Sequence, residues 1–370
     1  MKKMIFTAAM MLASAAAMAQ SGTFQIKGNV EGLPDSLVAM IGRKTENIEV
    51  KKKKFVYSKN FDKPQWVYLC DQKVIKSGAF SAIPVFAIPS ETIEMKGNFT
   101  GGIDIKGSKF YQEQDLMNEY KSQAYKDIKA LWKWYSDNVN DSNRDSIEKV
   151  ADERMEPLQK KYAADLLAYA KQHSDQECIA LLIDELDDVK DKETLISLMA
   201  DNVKNGRMKA YYEPIFERAK KRAEMEEKAK VVQASGVEAP DFTLNDINGK
   251  PFSLSSLRGK YVVIDFWGSW CIWCIKGMPK MKEYYEKYKG KFEILGVDCN
   301  DTEAKWKAAV EKHQLPWIHV YNPKGSDVLD KYAVQGFPTK IVIGPDGKIV
   351  KTIVGEDPAF YTLLDEVLGK

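Results

Sequence analysis

Two cysteines in the last third of the chain have the spacing of a redox-active pair. Cys271 and Cys274 have two residues between them, which suits a disulfide in the first turn of a helix that can open and close. Apolar runs predict a buried strand over 261–266 and a helix over 275–288. The free N–H groups at the start of that helix would stabilise the Cys271 thiolate, the form that attacks disulfides. We therefore expect Cys271 to be the nucleophile and Cys274, more buried, to resolve the mixed disulfide.

Four other residues could assist disulfide exchange. Asp265 ends a predicted buried strand, so burial would raise its pKa and let it accept and return the Cys274 proton. It could otherwise simply cap a turn. Trp270 and Phe337 would form an apolar rim that suits unfolded clients, or else pack on the surface. Pro338, if cis, would expose the backbone of Phe337 to a client peptide; otherwise it forms an ordinary rigid turn.

The pattern of apolar and polar residues along the chain predicts three folded regions, and 370 residues allow two or three domains. Short alternating runs broken by glycine and proline over 20–108 indicate an antiparallel, sandwich-like β domain. Apolar residues spaced by three and four over 109–233 indicate four or five helices and a linker. Helices alternating with continuous apolar strands over 234–370 indicate an α/β domain with a largely parallel sheet.

Residues 1–19 have the features of a cleaved signal peptide. Lys2 and Lys3 precede a short apolar run that ends in Ala17-Met18-Ala19. A membrane anchor is the alternative, but a spanning helix needs about 20 apolar residues and this run is shorter. We therefore expect a protein exported to the periplasm or cell envelope, without a stable membrane span. The two lysines account for the excess of 55 basic over 53 acidic residues, so the charge gives no reason to expect a nucleic-acid partner.

The residues around the cysteines resemble the thioredoxin superfamily. The segment 263–271 is similar to the family's strand and Trp-Cys motif, with Asp265 at the family's buried aspartate and Pro279 at its helix proline. Gly336-Phe337-Pro338-Thr339 resembles the loop whose cis-proline faces the disulfide. The opening at 239–244 and an extra helix and strand within 302–321 are similar to the TlpA and ResA branch, exported oxidoreductases with a redoxin-type (AhpC/TSA) domain. Residues 23–107 resemble a β domain of unknown function that precedes such domains.

This resemblance, which covers about 236–370, implies an enzyme that exchanges disulfides with client proteins in cell redox homeostasis. Its electrons would come from an envelope or membrane donor, with no bound cofactor or metal beyond the Cys271–Cys274 disulfide. Ile272-Trp273 departs from the Gly-Pro, Glu-Pro or Pro-Pro of relatives, which leaves the direction of exchange open. Asp265, without an additional thiolate-stabilising charge, favours a reductase. The leading regions would select clients, position the site or mediate homo-oligomerisation.

Other classes of protein fit the cysteines less well. A peroxiredoxin needs Pro-x-x-x-Thr-x-x-Cys, a haem attachment site needs a histidine where Ile275 stands, and a structural zinc site needs a second ligand pair. The remaining alternative is a non-catalytic envelope scaffold that uses a thioredoxin fold as a docking module, with a static disulfide. We expect Cys70, Cys178 and Cys299 to be buried thiols, because free cysteine packs as a small apolar residue.

Overall fold

The computed structural model describes residues 21–76 and 81–369, so the predicted signal peptide lies outside the described residues. Contacts within the chain divide it into two units, the first ending at Ala219 and the second starting at Lys220. Within the described residues, no helix is both long enough and apolar enough to cross a membrane.

The first unit begins with two four-stranded sheets, ordered β4-β1-β7-β8 and β3-β2-β5-β6. Apolar side chains of both sheets, such as Phe24, Ile26 and Leu69, lie in one core, which confirms the sandwich-like prediction. One pair in the first sheet, β1 with β7, is parallel. The strands are β1 Gly22–Glu31, β2 Leu37–Ile41, β3 Lys44–Asn47, β4 Lys54–Phe61, β5 Gln65–Asp71, β6 Ala82–Ala87, β7 Thr92–Asn98 and β8 Ile103–Lys106, with helix α1 Gln72–Lys76 after β5.

The helical region packs on this sandwich in the same core, where Phe110 stacks on Phe86 at 5.7 Å between ring centroids. Its helices are α2 Lys109–Ala124, α3 Lys126–Asn138, α4 Arg144–Gln172, α5 Val189–Leu198, α6 Asp201–Lys204 and α7 Lys209–Val232, with a 3₁₀ segment at Glu177–Asp184. The short α6 and the 3₁₀ segment go beyond the four or five helices predicted. They contain too few residues for a helical period to be visible in the sequence.

The second unit contains a seven-stranded sheet ordered β10-β9-β13-β12-β11-β14-β15. The prediction of a largely parallel sheet is wrong, since β11–β12 and β12–β13 are parallel and the other four pairings are antiparallel. Two of the four are the hairpins β9–β10 and β14–β15, because a connection of a few residues can join only antiparallel neighbours. In the other two, β9 pairs with β13 and β14 with β11. The strands are β9 Thr243–Asp246, β10 Pro251–Ser253, β11 Tyr261–Trp267, β12 Phe292–Asp298, β13 Ile318–Tyr321, β14 Thr339–Ile343 and β15 Ile349–Val354.

Four helices cover this sheet and one of them carries the two cysteines. They are α8 Ile272–Lys287, α9 Glu303–His313, α10 Val328–Lys331 and α11 Ala359–Leu368, and a 3₁₀ turn spans Leu254–Leu257. The central strand β11 is buried on both faces: Val263 and Trp267 point into the core that contains the cysteines, and Ile264 and Phe266 into the opposite core. The predicted α/β region is therefore confirmed. Residues 268–271 connect the end of β11 to the start of α8.

Candidate active site

The two cysteines lie where the chain leaves β11 and enters α8. Cys271 is the N-cap residue of α8, four residues before the predicted start of the helix, and its Sγ accepts a hydrogen bond from the Cys274 N–H at 3.2 Å. The two sulfurs are joined in a disulfide, S–S 2.01 Å. The first N–H groups of a helix have no partner within the helix and carry partial positive charge. When the disulfide is reduced, this position stabilises an anionic sulfur on Cys271.

Both sulfur-bearing residues are recessed, and large apolar side chains surround them. Cys271 is 5% exposed and Cys274 is 3% exposed, so the two differ less in accessibility than we expected. Trp270, Ile272 and Trp273, in contrast, each expose half or more of their surface. The residues beside Cys271 in sequence therefore present exposed apolar surface next to a recessed sulfur.

Trp270 and Phe337 form one side of this apolar rim. Their rings meet edge to face with centroids 5.4 Å apart, and the Trp270 indole N–H donates to the Cys299 carbonyl at 3.0 Å. The Phe337–Pro338 peptide bond is cis, and the Pro338 carbonyl accepts the Gly355 N–H at 2.7 Å. The structure thus brings the loop before β14 next to the loop before α8, although 66 residues separate Trp270 from Phe337 in the sequence.

A loop after β12, which the sequence prediction missed, supports the residues before Cys271. The Asp301 carboxylate accepts the Ser269 N–H at 2.8 Å, and the Cys299 N–H donates to the Trp267 carbonyl at 2.8 Å. Asp298 is fully buried, and burial, followed by the nearby Asp301 carboxylate, raises its pKa to about 8. The signal was present as a polar stretch, Asp298 to Thr302, at the end of a strand that neighbours β11.

Asp265 lies on the face of β11 that carries the cysteine core. It sits between Val263 and Trp267, whose side chains belong to the same apolar cluster as Cys271 and Cys274. Asp265 is buried, and its Oδ1 has no hydrogen-bond partner. Burial raises the pKa of Asp265 to about 6, with Lys340 lowering it and Glu356 raising it further. A carboxyl group with this pKa can both accept and release a proton near neutral pH.

Three other polar residues near Asp265 escaped the sequence prediction: Lys340 and Tyr361 are buried, and Glu356 is partly buried. Lys340, on β14, forms an ion pair with Glu356 at 2.7 Å, and the Tyr361 hydroxyl donates to the second Glu356 oxygen at 2.7 Å. Lys340 stands in an otherwise apolar strand, where its burial could have been inferred. Its pairing with Glu356 depends on how β15 and α11 pack, which the sequence pattern does not reveal.

The other titratable side chains offer neither a metal site nor a second reactive thiol. Among residues 21–76 and 81–369, no three histidine, cysteine, aspartate or glutamate side chains cluster as metal ligands. Cys70, Cys178 and Cys299 are free and buried, as expected, and burial raises the pKa of each thiol. The Cys271–Cys274 disulfide is therefore the redox group that the described part of the chain presents.

Comparison with known proteins agrees with this geometry. Residues 235–352 match the AhpC/TSA family. The thiol-disulfide oxidoreductase ResA of Bacillus cereus is 43% identical over 122 residues, which are 33% of this chain and 70% of that protein. ResA of Bacillus subtilis is 36% identical over 123 residues, which are 33% of this chain and 68% of that protein.

This chain belongs to the ResA family of thiol-disulfide oxidoreductases. The predicted thioredoxin-like relationship and the predicted enzyme class are thereby confirmed. The crystallised thioredoxin domain of a thiol-disulfide oxidoreductase from Bacteroides vulgatus is 36% identical, with a TM-score of 0.35, and covers 36% of this chain and 98% of its own. Each ResA alignment covers about a third of the chain, so the relationship identifies the catalytic domain of this ResA-family protein.

Proposed function

We propose that this protein is an exported ResA-like reductase that transfers electrons from a Cys271–Cys274 dithiol to disulfides in client proteins of the cell envelope. The observation that carries the proposal is the position of Cys271 at the N-terminus of α8, in a disulfide with Cys274. The membership of this chain in a family of thiol-disulfide oxidoreductases supports the proposed disulfide exchange. The features of residues 1–19 support export.

The first step is attack by the Cys271 thiolate on a client disulfide. A bond forms between Cys271 Sγ and one client sulfur, and the other client sulfur leaves as a thiolate that takes a proton from water. The helix N-terminus favours the attacking anion. Trp270, Phe337 and Pro338 would contact the client, because the two exposed or half-buried rings form the rim beside the sulfur.

In the second step Cys274 resolves the mixed disulfide. Its thiol proton passes to the Asp265 carboxylate, and the resulting Cys274 thiolate attacks Cys271 Sγ. The Cys271–client bond breaks, the client leaves as a thiolate and is protonated, and the Cys271–Cys274 disulfide forms. The client gains two electrons, which an envelope or membrane donor must return to the enzyme. No cofactor other than the cysteine pair is needed for these steps.

The first test is a Cys274→Ala variant expressed in the native envelope. We expect client proteins to accumulate as mixed disulfides on Cys271, because the resolving thiol is missing. Non-reducing electrophoresis and mass spectrometry would identify the trapped proteins, and acid quenching of the wild-type cells would show the steady-state redox form. A reductase should be found mainly as the dithiol.

Two matched variants make the trapping result interpretable. A Cys271→Ala/Cys274→Ala variant should trap no protein, whereas Cys299→Ala/Cys274→Ala should trap the same clients, because the Cys299 thiol is buried in a different core from the disulfide. If Cys274→Ala forms no covalent adduct, the chain acts as a non-catalytic scaffold. If the wild-type enzyme is found mainly as the disulfide, it acts as an oxidase.

A further inference from the structure

Lys340 is a buried cation in an apolar strand. Its side chain is 1% exposed, its neighbours Ile341, Val342 and Ile343 are all buried, and its ammonium is bound by Glu356 at 2.7 Å. Burying an ion pair of this kind gives little or no net stability compared with apolar side chains of similar size. A lysine at this position therefore points to a role other than holding the strands together.

Lys340 faces the candidate acid–base residue directly. In the antiparallel pairing of β11 with β14, Lys340 is the residue opposite Asp265, so the two side chains lie on the same face of the sheet. Side chains opposite one another on neighbouring strands have Cβ atoms about 4.5–5.5 Å apart. The ammonium is ion-paired with Glu356, and its positive charge acts on the buried Asp265 carboxyl from the neighbouring strand.

The carboxylate of Glu356 lies in the space that Gly277 of α8 leaves free because it has no side chain. A Cβ atom on Gly277, in the turn after Cys274, would lie 2.2 Å from the Glu356 carboxylate. The Tyr361 hydroxyl binds the same carboxylate at 2.7 Å and lies 3.4 Å from the Gly277 carbonyl. The side chain of Glu356 remains 18% exposed. The Lys340–Glu356 pair therefore extends from Asp265 to the edge of α8.

Among the described residues, several titratable groups lie on the elements around Asp265, and they differ in charge. Burial raises the pKa of the Tyr361 hydroxyl and the Cys299 thiol, and lowers the pKa of His319 to about 4, so these three are neutral near neutral pH. Asp298, on the neighbouring strand β12, is mostly protonated there, because burial and the nearby Asp301 raise its pKa to about 8. Cys271 and Cys274 are the reacting groups themselves. The charges that face Asp265 are those of Lys340 and Glu356.

We propose that Lys340 and Glu356 are positioning residues that set the pH range in which Asp265 accepts the proton of Cys274, an inference that rests on the proposed role of Asp265. Lys340 favours the ionised carboxylate that can act as a base. Glu356 offsets part of that positive charge and allows Asp265 to release its proton after each turnover. The two residues act through Asp265 and do not contact the client.

Lys340 and Glu356 should shift the pKa of Asp265 in opposite directions, and this difference can be tested. Without Lys340, Asp265 faces Glu356 alone, so its pKa rises and Cys274 becomes reactive at higher pH. Without the Glu356 charge, Lys340 is balanced only by Asp265, so the pKa of Asp265 falls. Each shift should be about 1 pH unit, which is the lower end of the effect of one nearby charge. A purely structural role would weaken both variants without moving their pH profiles in opposite directions.

The experiment follows the full-length reduced protein reacting with 5,5′-dithiobis(2-nitrobenzoate) in a stopped-flow instrument. Cys271 releases a first coloured thiolate, and attack by Cys274 on the mixed disulfide releases a second. The rate of the second release is measured against pH for wild type, Lys340→Met, Glu356→Gln and the double variant. We expect the midpoint to move up in Lys340→Met, down in Glu356→Gln, and back towards wild type in the double variant.

Control variants separate this inference from the proposed function. Lys351→Gln and Glu366→Gln make the same changes of charge at exposed positions and should leave the midpoint unchanged. If Asp265→Asn leaves the second release unaltered, the proposed role of Asp265 fails. If Asp265→Asn slows it but the pair variants do not shift its midpoint, or both shift it in one direction, the inference is wrong. Should Lys340→Met not fold, Glu356→Gln decides alone, since glutamine keeps an oxygen for Lys340.

Discussion

At the scale of single residues, the proposed disulfide exchange depends on carboxyl and thiol groups that are buried in the protein. Asp265 is buried beside an apolar core, so its ionised form is disfavoured and its pKa is raised to about 6. The same burial that would let Asp265 act as an acid and base near neutral pH also costs stability, because the folded state holds an imperfectly solvated charge above that pH.

That cost predicts how stability depends on pH. Because the pKa of Asp265 is higher in the folded than in the unfolded state, the folded state binds more protons between about pH 4 and about pH 6, and stability falls as pH rises through this range. Compared with Asp265→Asn, the wild type should lose about 3 kcal/mol of unfolding free energy between about pH 4 and about pH 8. Urea denaturation of both proteins at the two pH values measures the difference. Parallel curves would show that Asp265 titrates normally.

At the scale of elements, α8 lies against Glu356, two residues after β15, and this contact connects the helix that follows Cys271 to the Lys340–Glu356 pair. Gly277 has no side chain, and this lets the Glu356 carboxylate lie against the helix. A larger residue there would leave the helix intact but displace the carboxylate from Lys340. The geometry of one helix position therefore controls an ion pair on a different element.

Gly277→Ala tests this connection. The added Cβ would lie 2.2 Å from Glu356 Oε2, so the carboxylate must leave Lys340, while the helix gains about 1 kcal/mol of intrinsic propensity. The midpoint of the second thiolate release should move to lower pH, in the same direction as in Glu356→Gln. In a Glu356→Gln background the alanine should cause no further shift. A midpoint that stays at the wild-type pH would show that the position of the Glu356 carboxylate beside Gly277 does not affect Asp265.

The elements around the site could largely be predicted from the sequence, because their signals are local. The apolar run of β11 and the Cys-x-x-Cys spacing placed Asp265, Cys271 and Cys274 correctly on one strand and the start of one helix. The hairpin β9–β10 was missed because strands of three and four residues carry almost no periodicity. The Lys340–Glu356 pair was missed because it depends on the register of β14 against β11 and on the packing of α11, which are properties of the tertiary structure.

At the scale of the whole molecule, the catalytic chemistry belongs to the second unit, and the first unit is a separate sandwich and helical core. The sulfurs of the second unit are recessed behind an apolar rim, so a client must present its disulfide together with apolar surface. The first unit is the larger of the two, and its role in selecting clients, positioning the site or mediating oligomerisation stays a prediction. Measurements on the full-length protein are therefore the relevant ones for access to Cys271.

The central claim is that Cys271 is ionised and reachable in the folded protein, and alkylation of the reduced, full-length enzyme tests it most directly. The rate of iodoacetamide labelling at Cys271, assigned by mass spectrometry, is followed against pH. Because the N-terminus of α8 favours the thiolate, the midpoint should lie at least about 1 unit below the ordinary cysteine pKa of about 8.5. A midpoint at or above about 8.5, or labelling only after addition of urea, would contradict the account.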